Sequence, residues 1–369
     1  MAEEPAKPTE AVPARRARRP WGSLPAALDA ASHGGRRGPP LVAGWWLGLL
    51  AITGCSTALQ PMGPVRTEPV INDGTVIAPD GYRLPLRVWQ PEGPVRAVLL
   101  ALHGFNDYAA AYTNVGPVFA RHGILTYAYD QRGFGATQRP GIWPGATTLV
   151  ADLETVAGLL QRRHPDLPFY LLGESMGGAV VMTALARELP PASALARVKG
   201  AVLVAPAVWG RKTMAPMPRF ALWLTNALVP GVAMTAPREL NIRPSDNIEM
   251  LRAFGRDPLA IKATRVDAMN GLVELMGEAL AAAPRFTVPA LILYGSHEQI
   301  LPRPAVERML ASLPVAAQRV AVYRNGWHML LRDRHGDVPI DDIVSWLLAP
   351  EAPLPSGSDR VPRARIASR

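Results

Sequence analysis

The hexapeptide Gly173-Glu174-Ser175-Met176-Gly177-Gly178 constrains this chain more than any other segment. It follows Phe169-Tyr170-Leu171-Leu172, a strand pattern, and runs into Ala179-Val180-Val181-Met182 within a helix pattern over 176–188. A strand that turns this sharply into a helix needs residues without side chains two positions either side of the turn, and Gly173 and Gly177 supply them. The serine between them then stands at a helix N-terminus with its hydroxyl clear of the backbone, where the helix dipole favours negative charge.

The remaining chain alternates in the same way. Segments 67–77 and 82–89, either side of Pro79-Asp80-Gly81, predict a β-hairpin. The stretch 95–102 (VRAVLLAL) is a continuous apolar run, as in a parallel strand buried on both faces. Helical patterning over 110–121 precedes a strand at 124–129, and Leu149, Leu153, Val156, Leu159 and Leu160 mark a helix over 148–163. Strands follow at 201–204, 290–294 and 320–323, with helices near 304–312 and 340–348. This alternation predicts an α/β chain with a doubly wound, mainly parallel sheet. Residues 207–285 are too long for a plain crossover and predict an inserted helical cap, leaving 66–206 and 286–349 as the body. The Pro-, Ser- and Arg-rich stretch 350–369 reads as an unstructured tail.

With 49% hydrophobic and 19% charged residues among 369, the chain is not a disordered or solvating protein. Its formal charge of +9 sits partly in the ends: seven Lys/Arg against four acids in 1–40, and four against two in 351–369. The net of +4 that remains in 41–350 forms no basic stripe interleaved with aromatics, so nucleic acid is not an expected partner. A single cysteine, Cys55, rules out an intramolecular disulfide and a cysteine-based zinc site.

Residues 1–55 read as a leader. The stretch 41–54 is fourteen residues without a charge. As a helix it spans about 21 Å, short of a hydrocarbon core of roughly 30 Å, which suits a signal h-region better than a membrane span. Ile52-Thr53-Gly54-Cys55-Ser56 resembles the lipobox of bacterial lipoproteins, in which the cysteine is acylated and becomes the new N-terminus. That resemblance implies a lipid anchor on Cys55 and, with Ser56 next, a place in the bacterial cell envelope at the periplasmic face of the outer membrane. A buried N-terminal helix with an incidental cysteine is the alternative. The forty residues ahead of the h-region are longer than such leaders usually are.

A serine nucleophile needs a general base, a group that orients the base, and donors for the oxyanion. His103-Gly104-Phe105 follows the first central strand, so the Phe105 N–H can point beside that of Met176 toward the developing charge. His103 reads as a structural hydrogen-bonding residue. Glu298 stands beyond the strand 290–294, where a parallel-sheet enzyme would carry a carboxylate, and His328 stands just beyond 320–323. His335, in a charged stretch, competes weakly with His328 for the role of base.

The order Ser175, Glu298, His328 is that of the α/β-hydrolases. Over about 70–349 the chain resembles their monoglyceride lipase and lysophospholipase group, the serine-aminopeptidase-like branch. The likeness runs through LHGF at 102–105, YDQRGFG at 129–135, GESMGG at 173–178, YGSHEQILP at 294–302 and GWHMLL at 326–331. In that family aspartate normally stands where Glu298 stands, and a small or acidic residue where Asn106 stands. The resemblance implies a serine esterase of fatty-acyl esters such as monoacylglycerol or lysophospholipid, with no metal or organic cofactor. Met214, Met217, Phe220 and Trp223 can line a channel for the acyl chain, or simply bury the cap on the body. Two other readings stand beside this one. An aminopeptidase or amidase of the same fold would grip a free amino group, for which Asp246, Glu249 and Glu274 are candidates. A non-catalytic, anchored binding protein is the other.

Overall fold

The computed structural model describes residues 56–235, 242–314 and 318–360, so the signal segment and Cys55 lie outside the described residues. In chain order the elements begin with β1 (Val70–Asn72), β2 (Thr75–Ile77), β3 (Arg83–Trp89), β4 (Ala97–Leu102), α1 (Gly116–Arg121) and β5 (Ile124–Tyr129). Next come α2 (Ala146–Arg163), β6 (Phe169–Glu174), α3 (Met176–Leu185) and β7 (Gly200–Val204). The interval after β7 holds α4 (Pro216–Leu228), β8 (Ala233–Met234), α5 (Ile248–Arg256), β9 (Thr264–Arg265) and α6 (Val266–Ala282). The succession closes with β10 (Ala290–Gly295), α7 (Arg303–Ser312), β11 (Gln318–Tyr323) and α8 (Asp337–Leu348).

Nine strands form one sheet in the order β1-β2-β3-β5-β4-β6-β7-β10-β11. The pairs from β5 to β11 are parallel, whereas β1, β2 and β3 add antiparallel at one side. This is the doubly wound, mainly parallel sheet that the alternation predicts. Strand β4 shows why its run is apolar throughout. Val98, Leu100 and Leu102 join the core shared with α2, α3 and α6, while Ala97, Leu99 and Ala101 face the core shared with α1 and α8. Each leucine so buried contributes about 1.5–3 kcal/mol. Because the central strands run parallel, the loops after β4, β6, β10 and β11 emerge at one edge of the sheet.

Two expectations need correction. Segment 67–77 is not one strand: it folds back on itself at Asp73-Gly74, both at positive φ (45° and 67°), a two-residue turn whose twist suits a hairpin. Nor is the chain after 350 wholly unstructured. Through residue 360 it packs back on the body, with Leu354 buried beside α8. Ser356 donates from its amide (3.0 Å) to the buried Asp342, which also accepts from the Tyr323 hydroxyl. A buried carboxylate needs such donors, and the tail supplies two, the amide and the hydroxyl of Ser356.

The interval 207–285 contains two kinds of helix. Ten of the residues of α6 are buried, Leu275, Met276 and Ala279 among them, and the helix packs against α3. Helix α4 has no buried residue, and it rests on α6. Strands β8 and β9 pair antiparallel between these helices. Among the described residues no helix is long and apolar enough to cross a membrane.

Candidate active site

Ser175 ends the turn between β6 and α3 with φ 51° and ψ −112°, a left-handed conformation unusual for a residue with a side chain. Its amide donates to Val204 O on β7, and its carbonyl accepts from Ala179 and Ala207. The turn can be this tight only because Gly177 lies against β4: a Cβ there would meet Leu102 O at 2.2 Å. Such strain costs about 1–3 kcal/mol and persists where the surroundings over-determine it.

His328 follows β11 and Glu298 follows β10. His328 Nε2 lies 2.9 Å from Ser175 Oγ, and Nδ1 lies 2.7 Å from Glu298 Oε2. The other glutamate oxygen, Oε1, accepts from the amides of Ile300 (2.6 Å) and Leu301 (3.0 Å). The two loops meet backbone to backbone, since a Cβ on Gly295 would sit 2.2 Å from Gly326 C. Burial acts to raise the Glu298 carboxyl, but His328 and the two amides prevail and hold it below the ordinary glutamate value. Burial acts to lower His328, and Glu298 outweighs it, so its pKa lies above that of an ordinary histidine. Ser175, Glu298 and His328 thus form one hydrogen-bonded line able to take a proton from the serine and hold it on the imidazole.

The loop after β4 approaches from the other side, with a Cβ built on Gly104 only 3.5 Å from Ser175 Cβ. Asp107 N donates to Gly104 O, whereas the amides of Phe105 and Met176 take no part in the turn and loop hydrogen bonds among the described residues. Neither amide is spent on a carbonyl of those turns. Phe105 is fixed by edge-on contacts with Phe134 (5.6 Å) and Trp143 (6.2 Å). His103 is fully buried, with Nδ1 2.8 Å from Gly104 O and Nε2 accepting from the Gln131 amide at 2.9 Å. Both its nitrogens are spent on backbone. His335 is exposed on the surface.

Sequence reasoning missed three further parts of this edge. Arg332, four residues past His328, lies 2.7 Å from Asp107 and 3.5 Å from Glu174. Asn106, at φ 64°, holds the cap: its carbonyl accepts from Ile261 N and its side chain donates to Thr264 Oγ1. Arg132, in the YDQRGFG stretch, is a buried structural cation held by Asp152 and Asp80. Glu174 carried a signal as the residue before the serine, as did Arg132 within YDQRGFG and Asn106 beside the HGF turn.

The suggested acyl-channel residues are arranged differently from the expectation. Met214 is half-buried against the core, but Met217, Phe220 and Trp223 are 75%, 55% and 56% exposed. Phe220 and Trp223, with Arg211, Lys212, Met214, Pro216 and Arg219, line an open groove of about 980 Å³ beside α4. Among the described residues of that helix only Leu222 packs inward on the core. The three acids considered for an amine-binding pocket are engaged elsewhere or exposed. Asp246 accepts from Arg334 N, Glu274 pairs with Arg211 and Asn270, and Glu249 is on the surface. Among the described residues no group of three or more His, Cys, Asp or Glu side chains stands close enough to hold a metal ion.

A family model described as "Serine aminopeptidase, S33" matches residues 93–335, well over half of the chain. The monoacylglycerol lipase of Mycolicibacterium smegmatis is 26% identical over 284 residues, covering 73% of this chain and 94% of that one. The monoglyceride lipase of Rattus norvegicus is 24% identical over 277 residues, covering 73% of this chain and 88% of its own. Among solved structures, Paleococcus ferrophilus monoacylglycerol lipase superposes with a TM-score of 0.59 at 20% identity, over 72% of this chain and 98% of that one. A soluble variant of the Saccharomyces cerevisiae monoglyceride lipase, in complex with a substrate analogue, gives 0.61 at 18% identity, over 77% and 94%.

Proposed function

The chain belongs to the serine aminopeptidase, S33, family and has the α/β-hydrolase fold; on that premise we propose that it is a carboxylic ester hydrolase acting on fatty-acyl esters, monoacylglycerol or lysophospholipid, through an acyl-enzyme on Ser175. The observation that carries the reading is the line from Glu298 through His328 to Ser175 Oγ, with two hydrogen bonds below 3 Å. In this mechanism Ser175 Oγ attacks the ester carbonyl as its proton passes to His328 Nε2. The Phe105 and Met176 amides hold the oxyanion, and Glu298 steadies the imidazolium at Nδ1. Collapse returns the proton to the departing alcohol. A water deprotonated by His328 then attacks the acyl-enzyme and releases the fatty acid.

Three features support a lipid substrate and a membrane surface. The relatives named above are lipases of monoglycerides. The outer face of α4 is apolar and flanked by Arg211, Lys212 and Arg219, as suits an interface with anionic lipid. Ala58, three residues past Cys55, donates its amide to Asp267, whose own amide donates to Pro230 O beside the exposed Val229 and Val232. An anchor on Cys55 would therefore join the body at the same side as the apolar cap, in the cell envelope at the periplasmic face of the outer membrane.

The test is hydrolysis of a series of glycerol and lysophospholipid esters of increasing acyl length by the full chain and Ser175→Ala. We expect a preference for medium or long chains and a loss of several orders of magnitude in the variant. Equal rates in both proteins would end the reading, as would cleavage of aminoacyl amides in preference to esters. Cys55→Ser should move the protein from the membrane to the soluble fraction and abolish labelling by radioactive palmitate.

A further inference from the structure

Four loops meet at the carboxyl edge of the sheet, and the Arg332 guanidinium stands among them. Arg332 has a side chain only 10% exposed, and its Nη2 lies 2.7 Å from Asp107 Oδ2 in the oxyanion loop and 3.5 Å from Glu174 Oε1 at the nucleophile turn. Its carbonyl accepts from Asn247 Nδ2, and its guanidinium lies over Phe254 of α5 at 5.9 Å. A buried guanidinium between two carboxylates costs much to desolvate and is retained only where its partners repay it. Here the partners are the residue directly before Ser175 and the residue two past Phe105.

We propose that Arg332 is a positioning residue: its guanidinium ties the oxyanion loop and the nucleophile turn to the histidine loop, and its charge offsets Glu174 and Asp107 beside His328. The inference rests on His328 being the general base. The charged groups around that imidazole come from several elements. Glu298 approaches from the loop after β10, Glu174 from the end of β6, Asp107 from the loop after β4, and Arg332 and Asp333 from its own loop. Asp246 holds the Arg334 amide on the cap side, the Tyr112 hydroxyl is donated to Leu102 O, and His103 has both nitrogens on backbone. Glu298 and Glu174 favour the charged imidazole and Arg332 opposes it. Removing the cation alone leaves two uncompensated carboxylates; removing Glu174 alone leaves the cation paired with Asp107 and takes one negative charge from beside the imidazole.

The test reads the acid limb of kcat/KM against pH for the full chain, with a soluble short-chain ester. Arg332→Met should move that limb upward by about one pH unit or more, so that activity lost at neutral pH returns on the alkaline side. Glu174→Gln should move it downward, and Glu174→Gln with Arg332→Met should return it close to the wild-type position. Arg332→Lys, which keeps the charge but not the fork, should keep the limb in place while kcat falls with little change in KM. A merely structural arginine would lower activity at every pH with the limb unmoved, and that result overturns the proposal. Should Arg332→Met fail to fold, Glu174→Gln decides alone: an unmoved limb overturns the proposal and a downward shift supports it. An unaffected Ser175→Ala rate would instead overturn the mechanism on which the inference rests.

Discussion

Helices α4 and α6 lie in the same interval between β7 and β10, yet they are opposite in kind. Helix α6 buries ten residues and packs on α3, the helix whose first turn follows Ser175. Its Gly271 abuts the Trp143 ring, which in turn touches Phe105 of the oxyanion loop. Helix α4 buries none and turns Met217, Phe220 and Trp223 outward. The apolar content of the two helices is similar, so composition does not separate them; position on the body does. One helix buttresses the chemistry, and the other presents apolar surface of the kind that meets a lipid aggregate. Support for the fixed distances of the site and an unburied apolar face thus belong to different parts of one insertion.

Substitutions can break or sharpen this contrast. The largest effect belongs to the buttressed side: Glu298→Gln should lower kcat/KM by about 10³–10⁴-fold, because the imidazole loses both its tautomer and its countercharge. A loss under tenfold would detach the acid from the site. Next in size, Leu275→Ala should cost about 2–5 kcal/mol of unfolding free energy in urea titration, as a fully buried leucine leaves a cavity between α6 and α3. A cost near zero would erase the difference between the helices. Phe220→Ser with Trp223→Ser should change stability by only about 0.5 kcal/mol. Hydrolysis of a soluble short-chain ester should be untouched, while the rate on monoacylglycerol in anionic vesicles falls several-fold. Equal losses on both substrates would make α4 part of the catalytic support. The smallest effect is on pH. His328 must be neutral to act as base, and its raised pKa places the acid limb of kcat/KM above about 6.5, the ordinary histidine value. The α4 variants should leave that limb where it is.

Much of this architecture was legible because a parallel strand buried on both faces is written as an unbroken apolar run, and three such runs led to a residue with chemistry. Residues 169–172, 290–294 and 320–323 pointed in this way to Ser175, Glu298 and His328. The exposure of Met217, Phe220 and Trp223 was not legible, since an apolar helical stripe looks the same whether it meets a core or solvent. The tail through 360 escaped because its attachment depends on Asp342, whose need for a donor is invisible until it is buried. The cluster of Arg332, Glu174 and Asp107 escaped for a different reason. Its members are 158 and 67 residues apart in sequence, and only the folding of β4, β6 and β11 into one sheet brings them to one edge. The turn at Asp73-Gly74 was readable from the dipeptide itself and was overlooked inside a longer apolar pattern.

The left-handed backbone of Ser175 also shapes the routes by which this enzyme can diverge. Threonine would keep a hydroxyl, but a β-branched residue at φ 51° is a severe outlier, so the chemically closest replacement is the sterically forbidden one. Cysteine, asparagine and aspartate, without a branch at Cβ, are better tolerated there, and each would alter or abolish the nucleophile. Descent from this sequence is thus channelled: at position 175 a lineage can more readily exchange its reaction than preserve it with a different alcohol.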